Sequence, residues 1–385
     1  MTRVFRRSIV HFTTVHSRAD TRIYLKEAAT LDGAFAAPVG MYVQDGLGPA
    51  GETSGPAVVD TGPRARNRLT RMTAGAWRMY CAVRRARPLV AHFHDPELIP
   101  VGLLLKLSGI KVVYDVHEDV PRQIASKHWV PRWLRPPVAA AAGSFEWAAG
   151  RVFDAIVPAT PSIAEHFPAR KCTLVQNFPL PDELVEVEPT RYVMRPPHVA
   201  YVGGIGTARG VMEMIQALSL VRREDLRLRM AGGFQIAADQ SQAQDLPGWS
   251  KVDFVGWADR PAVAKLLGQV RAGLVLFHPA PNHTSAQPNK LFEYMAAGLP
   301  LIASDFALWR QIVDGVGCGL LVDPLDPAAI AGAIQWILDN PAEAEAMGQR
   351  GRLAVQERYN WPVEGAKLVG LYERLLGEAS LPKAA

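Results

Sequence analysis

Cysteine is scarce in this chain, with three residues among 385. Cys81, Cys172 and Cys318 lie far apart, without the spacing of metal ligands or of a disulfide framework. No apolar run approaches the roughly 18 residues that a membrane-spanning helix needs. The basic N-terminus also lacks the apolar core and cleavage site of a signal peptide. These absences predict a cytoplasmic protein.

Acidic residues are in deficit in one half of the chain only. Residues 1–185 carry 23 Lys/Arg and 16 Asp/Glu, a balance of +7, whereas residues 186–385 carry 19 and 21, a balance of −2. Such a basic half favours an anionic partner, such as a membrane surface or a phosphorylated acceptor, and a solvated helix face is the alternative. We therefore expect possible peripheral attachment at the inner face of the cell membrane. Nucleic-acid binding is not expected, because no recognition module is present.

The basic excess is concentrated in two stretches. Residues 127–135 combine tryptophans with lysine and arginine, which suits the interface of a bilayer. The other stretch also contains Trp77 and Tyr80, and its arginines are Arg64, Arg66, Arg68, Arg71, Arg78, Arg84, Arg85 and Arg87.

Short apolar runs alternate with helical patterns along the chain, which predicts parallel βαβ units and an α/β fold of two doubly wound domains. Strands are predicted at residues 8–13, 89–93, 111–116, 155–158 and 173–176, then at 198–202, 227–231, 252–255, 272–277 and 301–303. Residues 1–183 form the first predicted domain, 184–197 a linker, 198–360 the second domain, and 361–385 a C-terminal helix.

One segment, residues 288–300, carries a specific signal and reads Pro-Asn-Lys-Leu-Phe-Glu-Tyr-Met-Ala-Ala-Gly-Leu-Pro. The pattern predicts a helix that begins beside Asn289 and Lys290 and ends at Gly298. Free N–H groups and a lysine at a helix start favour a phosphate group. Glu293, one turn later, can accept hydrogen bonds from a ribose diol. Together these groups indicate a nucleotide, although an ordinary amphipathic helix is the alternative.

The same 13 residues resemble the donor-binding signature of glycosyltransferase family 4, which comprises retaining, sugar-nucleotide-dependent enzymes of the GT-B fold. The resemblance implies two Rossmann-like domains that face a central cleft, with a C-terminal helix that returns to the first domain. It implies that the first domain binds the acceptor and the second the nucleotide sugar. By this resemblance Lys290 and Glu293 are catalytic residues of the donor site, and Asn289 and Leu291 bind the donor.

A glycine-rich turn follows the predicted strand at residues 198–202. Gly203 and Gly204 let the backbone approach phosphate closely, and Arg209 can bridge phosphate oxygens with its planar guanidinium. Family members have a glycine-containing loop and a basic residue at this place. Many of them have arginine where Gly204 stands, so Arg209 and Lys290 are the expected diphosphate contacts here.

Other donor-site candidates follow from the resemblance. Ser285 stands where many family members have the first of two glutamates, near the donor sugar and separated by seven residues from the ribose-binding one, and Gln287 lies in the same loop. Val255 and Trp257 follow a strand at the place where the family holds the nucleobase. Gly232 follows another strand, where it lines the cleft or serves the geometry of a tight turn.

Histidines end two predicted strands of the first half. His117 matches a histidine that the family places against the donor sugar, and we predict a catalytic role for it. His92, His94 and Asp95 could bind a metal, but their alternation along a strand does not place all three on one face. We favour helix capping by Asp95 instead, with Pro96 as the first helical residue.

A polar loop follows the first strand, where many family members have a glycine pair. Arg18, Asp20 and Arg22 in this loop are candidates for acceptor binding or for a purely structural role. The chain is thus identified as a member of a family of bacterial polysaccharide-type glycosyltransferases. No cofactor and no metal is expected, because Arg209, Lys290 and a helix N-terminus can stabilise the leaving diphosphate. A nucleotide-sugar epimerase of the same fold and a non-catalytic nucleotide-sugar or membrane-binding protein are the alternatives.

Overall fold

The computed structural model describes residues 7–48, 50, 55–126, 131–186 and 190–377. The chain folds into two units. Unit 1 comprises residues 1–177 and 362–385, and unit 2 comprises residues 178–361. Parts of three predicted segments lie outside the described residues, namely 127–130 of the Trp/Arg-rich stretch, 187–189 of the linker and 378–385 of the C-terminal segment.

Unit 1 contains a six-stranded parallel sheet in the order β3-β2-β1-β4-β5-β6. Its strands are β1 (Ile9–Phe12), β2 (Val39–Val43), β3 (Ala57–Asp60), β4 (Val90–Phe93), β5 (Lys111–Val116) and β6 (Ala155–Pro158). Its helices are Thr21–Ala28 with π geometry, Ala29–Ala34, Arg68–Thr70, Arg71–Gly75 with π geometry, Ala76–Ala86, Pro96–Leu98 with 3-10 geometry, Ile99–Leu107, Val120–Ser126, Arg135–Val152, Pro161–Ala164 and Ala169–Lys171 with 3-10 geometry.

Unit 2 contains a second six-stranded parallel sheet, in the order β12-β11-β10-β7-β8-β9. Its strands are β7 (His198–Val202), β8 (Arg227–Ala231), β9 (Val252–Gly256), β10 (Ala272–Val275), β11 (Leu301–Ser304) and β12 (Gly319–Val322). Its α-helices are Val211–Leu220, Ala237–Gln244, Arg260–Leu267, Pro281–Thr284, Asn289–Ala296, Ala307–Val316, Pro327–Asp339 and Pro341–Glu357, and 3-10 turns lie at Tyr192–Met194, Thr207–Arg209 and Pro247–Lys251.

The sheets confirm the predicted α/β architecture of two doubly wound domains. Strands β2, β3 and β12 were not predicted. The strand predicted at residues 173–176 is wrong, because these residues form no strand and the bridge to Ile156 is made by Cys172, just before them. The helix Trp361–Leu376 packs mainly in unit 1, where Tyr372 is fully buried. Within the described ranges, no helix combines the length and the apolar character needed to cross a membrane.

The segment predicted as a linker, residues 184–197, differs from expectation because its described residues are part of unit 2. Leu184 is buried in the same apolar cluster as Phe178. Tyr192 is buried in the other apolar cluster of the unit, and its hydroxyl donates to the carbonyl oxygen of Arg271 at 2.7 Å. The boundary between the units therefore precedes the predicted one, at Asn177.

Candidate active site

Unit 2 has a pocket of about 510 Å³ beside the start of helix Asn289–Ala296. Strand β7 contributes Val202 and the turn after it contributes Gly203. The other lining residues are Leu184, Arg209, Ala258, Arg260, Val263, Phe277, Ala286, Gln287, Pro288, Asn289, Lys290 and Glu293. Six of the predicted donor-site residues thus line one pocket: Gly203, Arg209, Gln287, Asn289, Lys290 and Glu293.

Two glycines determine the backbone path at the Gly203 turn, which lines this pocket. Gly203 has φ +120 and Gly232 has φ +141, which is backbone that side-chain-bearing residues rarely adopt. A Cβ atom on Gly232 would lie 1.9 Å from the carbonyl oxygen of Gly203. Gly232 does not line the pocket, so its contribution is to let the Gly203 turn pack closely against it.

Lys290 is the most unusual side chain of the pocket. It is 7% exposed, and its ammonium group has no hydrogen-bond partner among the described residues. The Nζ atom lies 3.6 Å from the centroid of the Tyr201 ring. Burial, and then the charge of Arg209, lower the pKa of Lys290 well below its ordinary value, while Glu293 opposes this shift. A buried ammonium without an anion is costly, so this site is suited to a bound anion.

The helix that carries Lys290 adds to the positive potential of the pocket. It begins at Asn289, and no side chain caps it at Pro288. Its first N–H groups and the positive end of its dipole therefore favour an anionic ligand beside Lys290. Arg209 follows the glycine turn, and its Nη1 lies 3.4 Å from the carbonyl oxygen of Gly204. Lys290, Arg209 and the start of this helix thus line the same pocket, together with a third basic side chain, Arg260.

Glu293 lines the same pocket, three residues after Lys290 on the same helix. Its Oε1 is 3.5 Å from Nη2 of Arg260, which also pairs with Glu183 at 2.7 Å. Arg260 and Phe277 were missed by the sequence analysis, although both line the pocket. The sequence did contain a signal for Arg260. This arginine is the first residue of a helix that Asp259 caps, and this helix follows the strand assigned to the nucleobase.

The remaining donor-site candidates do not line the pocket. Val255 and Trp257 have exposed side chains, and only their neighbour Ala258 lines it. Ser285 donates to the carbonyl oxygen of Pro281 at 3.0 Å. Leu291 is buried in the apolar core, and its N–H donates to Pro288, so a direct ligand contact by Leu291 does not fit. Gly204 lies next to Arg209, and a Cβ there would be 3.2 Å from Nη1 of Arg209.

In unit 1, His117 follows strand β5 and belongs to a hydrogen-bonded chain. Its Nδ1 lies 3.1 Å from Oδ2 of Asp115, and its Nε2 lies 3.1 Å from Nε2 of His16. Burial opposes protonation of His16, but its hydrogen bond to Asp20 and the nearby carboxylates raise its pKa. A protonated His16 donates to Nε2 of His117, which fixes the orientation of that ring.

The residues proposed for acceptor binding have structural partners. Arg18 makes a bidentate contact with Asp45, at 2.7 and 2.6 Å. Asp20 caps helix Thr21–Ala28 and pairs with His16. Arg22 is buried against Asp115, so the expectation that it could meet an acceptor is not met. Asp20 remains half-buried at the end of the histidine chain.

The structure also corrects the expectation for residues 92–95. Asp95 does not cap the following helix through its side chain, but accepts hydrogen bonds from Thr13 and Thr14. His92 of strand β4 and His94, just after this strand, stack on each other with ring centroids 4.8 Å apart. His11 of strand β1 pairs in register with His92, and the centroids of their two rings are 4.6 Å apart. Sequence reasoning missed His11 and Glu27, which lie in this buried group and are distant in the chain.

Known proteins with similar sequences include glycosyltransferases. Residues 196–340 match the family model of glycosyl transferases group 1. The chain is 23% identical over 300 residues to the MMP alpha-(1->4)-mannosyltransferase of Mycolicibacterium hassiacum, which covers 74% of this chain and 71% of that protein. It is 31% identical over 191 residues to a GDP-mannose-dependent alpha-mannosyltransferase of Mycolicibacterium smegmatis, covering 49% of this chain and 46% of that protein.

Solved structures agree in fold. Sucrose-phosphate synthase from Thermosynechococcus elongatus superposes with a TM-score of 0.76 at 19% identity, covering 96% of this chain and 99% of that chain. Both Rossmann-like units of the present chain are thus common to solved structures with little sequence identity.

Proposed function

Residues 196–340 belong to the group 1 family of glycosyltransferases, and we propose that this glycosyltransferase moves a sugar from a nucleoside diphosphate to a glycan or lipid-linked acceptor with retention of anomeric configuration. The observation that carries the proposal is the buried ammonium of Lys290, which has no hydrogen-bond partner in the described chain and lies at an uncapped helix start. The diphosphate of the donor is the anion that it would hold.

The proposed roles follow from charge. As the bond between the anomeric carbon and the diphosphate oxygen breaks, negative charge grows on the leaving diphosphate. Lys290, Arg209 and the helix N-terminus would stabilise this charge. The acceptor hydroxyl would then bond to the anomeric carbon, and its proton would pass to a diphosphate oxygen. Glu293 would hold the ribose hydroxyls.

His117 is the proposed catalytic group of unit 1. Asp115 holds its Nδ1, and its Nε2 would exchange His16 for a sugar hydroxyl in order to orient or polarise that hydroxyl. Removal of the imidazole in His117→Ala should lower turnover and leave the affinity for the free nucleoside diphosphate unchanged. An unchanged turnover number would exclude His117 from the reaction.

Names of the relatives suggest which donor to test first. Both relatives described above are named as mannosyltransferases, and the one from Mycolicibacterium smegmatis is named as GDP-mannose-dependent. We therefore propose GDP-mannose as the first donor and bacterial polysaccharide or glycoconjugate biosynthesis as the setting. UDP-glucose and ADP-glucose serve as competing donors in the same assay.

Calorimetry with nucleoside diphosphates tests the donor site. Glu293→Ala should lose charge-assisted hydrogen bonds to the ribose, on the order of 1.5–3 kcal/mol of binding free energy, for nucleoside and nucleoside diphosphate alike. Arg209→Ala should weaken the diphosphate much more than the nucleoside. Glu357→Ala, an exposed carboxylate outside the pocket, is the matched control. Equal losses for both ligands in Arg209→Ala would refute a phosphate role.

Product analysis separates transfer from other chemistry. With donor and acceptor together, the enzyme should release nucleoside diphosphate and form an α-linked product from an α-linked donor. Conversion of the donor sugar without an acceptor would instead establish the epimerase alternative. Binding of donor with no turnover under either condition would establish a non-catalytic protein.

Transfer is proposed to need no metal at the diphosphate, because basic groups already line the pocket. Activity should persist when a chelator removes free divalent ions during the assay. A loss of activity that Mg²⁺ or Mn²⁺ restores would contradict this part of the proposal.

We propose further that unit 1 attaches to anionic bilayers. Helix Ala76–Ala86 buries Met79 and Val83, while Trp77 is 60% exposed. Trp77, Tyr80, Arg84, Arg85 and Arg87 line one surface depression. Each basic residue near an anionic surface contributes about 1 kcal/mol. Sedimentation with anionic and neutral vesicles tests this, and binding that ignores lipid charge or salt would contradict it.

A further inference from the structure

Four metal-ligating side chains meet in the interior of unit 1. His11 comes from strand β1, His92 from strand β4, His94 from the residues after β4, and Glu27 from helix Thr21–Ala28. None of the four is more than 1% exposed. One ligand atom of each can be chosen so that all four atoms lie within 4.8 Å of one another. Parallel pairing of His11 with His92 brings the histidines together from distant parts of the chain.

The distances between these atoms suit a common ion. Nδ1 of His11 lies 3.0 Å from Nε2 of His94 and 3.9 Å from Oε2 of Glu27. Nε2 of His92 lies 4.0 Å from the same carboxylate oxygen. Ligands of a tetrahedral Zn²⁺ ion, with bonds of roughly 2.0–2.2 Å, are separated by about 3.3 Å. The observed separations fall on both sides of that value.

Several polar atoms of these four side chains have no hydrogen-bond partner among the described residues. Among the described residues, both oxygens of Glu27, Nε2 of His92 and Nε2 of His11 have no hydrogen-bond partner. Nε of Arg22 lies 3.1 Å from Oε1 of Glu27 as an ion pair. Arg22 also pairs with Asp115, which balances the positive charge of Arg22. Buried polar atoms are rarely left unpaired, because the lost hydration is costly. A bound ion would provide a partner for Nε2 of His92 and for the carboxylate of Glu27. Nε2 of His11 has no partner among the described residues, with or without the ion.

A second set of residues orients two of the histidines. Nδ1 of His94 lies 2.9 Å from Oδ2 of Asp115, so it donates to that carboxylate and its Nε2 is left with a lone pair. Nδ1 of His92 lies 3.0 Å from the hydroxyl of Tyr372. Both histidines therefore direct Nε2 towards Glu27 or His11. Metal-binding histidines commonly have such a partner on the other ring nitrogen.

We propose that unit 1 binds one structural Zn²⁺ ion through His11, His92, His94 and Glu27. Three imidazole nitrogens and one carboxylate oxygen form a donor set that suits zinc, and four protein ligands leave no position open for a substrate. The ion connects strands β1 and β4 to helix Thr21–Ala28. Through His92 and Tyr372 it also supports the helix Trp361–Leu376. The site lies wholly within unit 1 and outside the donor pocket of unit 2.

A buried water molecule is the competing occupant, since the site is polar. Metal analysis of the purified full-length protein distinguishes the two. We expect about one equivalent of zinc per chain, either as purified or after incubation with ZnCl₂ and gel filtration. Co²⁺ in its place should give the visible absorption of a tetrahedral site. A wild-type protein that retains less than about 0.1 equivalent after incubation would overturn the proposal.

Variants locate the ion. Glu27→Gln keeps the shape of the side chain and should lower zinc retention at least tenfold, and His92→Phe should abolish it. His166→Ala, a half-buried histidine of unit 1 outside the cluster, should retain zinc as the wild type does. If Glu27→Gln and His92→Phe fold and retain a full equivalent, the ion lies elsewhere and the assignment is wrong.

Thermal unfolding provides a readout that is independent of transfer. Zinc should raise the transition temperature of unit 1 in the wild-type protein by roughly 5 °C or more relative to the chelated form, and should not do so in Glu27→Gln. Equal transition temperatures with and without zinc would contradict a structural ion. Nucleoside diphosphate binding in unit 2 should be unaffected at a temperature where both units remain folded, so the two proposals fail separately.

Discussion

Two buried cations, one in each unit, have opposite surroundings. Arg22 of unit 1 is 5% exposed and is bonded to Asp115, with Glu27 beside it. Lys290 of unit 2 is 7% exposed, and no described residue accepts a hydrogen bond from its ammonium group. Burial of a charge is common to both sites and therefore does not identify function. What distinguishes Lys290 is that its ammonium group has neither a hydrogen-bond acceptor nor a paired carboxylate among the described residues, which suits an anion supplied by a ligand.

The comparison predicts opposite effects on stability, and the largest belongs to unit 1. Arg22→Met should leave Asp115 as a buried carboxylate without its main partner, at a cost of about 3–5 kcal/mol. A fall of roughly 10 °C in the transition temperature of unit 1 is expected by calorimetry. Arg170→Met, an exposed arginine of the same unit, should unfold as the wild type does. An unchanged transition in Arg22→Met would remove the contrast between the two cations.

Lys290→Met should show the reverse pattern. Loss of an unpaired buried charge should leave the stability of unit 2 unchanged or raised, because the cost of burying the ammonium disappears. Affinity for a nucleoside diphosphate should nevertheless fall about 100-fold, or about 2.7 kcal/mol, while affinity for the nucleoside changes little. Lys265→Met, exposed on a neighbouring helix, is the control. Lower stability with unchanged diphosphate affinity would make Lys290 a structural residue.

The depressed pKa of Lys290 predicts a smaller dependence on pH. Burial and Arg209 lower this pKa in the free protein, and a bound diphosphate should raise it again. Binding therefore takes up a proton, and diphosphate affinity should fall by up to about tenfold per pH unit above the pKa of the free protein. Calorimetry in two buffers of different ionisation enthalpy measures this uptake. The absence of proton uptake at every pH up to 10 would contradict the shift.

The same pKa shift has a consequence for folding. Between the lowered pKa of folded Lys290 and its ordinary value, the unfolded chain binds more protons, so stability should rise with pH in that window. Lys290→Met should lack this rise. Denaturant unfolding of both proteins across the window measures the difference, and parallel pH profiles would show that Lys290 titrates normally.

Much of the fold could be predicted from local patterns. The alternation of strands and helices was visible, because β1, β4 and β5 are continuous buried runs. Strands β2 and β12 were missed although neither is shorter than β10, which also contains a glycine and was predicted. The donor pocket was found where its residues share one segment, as Asn289, Lys290 and Glu293 do.

Sequence reasoning failed where distant residues meet. His11, Glu27 and Tyr372 join the residues around His92 only through strand pairing and helix packing, which no local spacing encodes. Leu291 was assigned to the donor site by its place in a motif, but its position on the helix directs it into the core. Arg22 was assigned to a polar loop, whereas it lies in helix Thr21–Ala28 and is buried in an ion pair with Asp115 of strand β5.

A crystal structure of the protein with a bound nucleoside diphosphate would show directly whether Lys290 receives its anion from the donor. We expect diphosphate oxygens within hydrogen-bond distance of Nζ of Lys290 and of the first N–H groups of helix Asn289–Ala296, with the ribose hydroxyls on Glu293. A diphosphate bound elsewhere in the chain, with the ammonium of Lys290 still without an anion, would contradict this expectation.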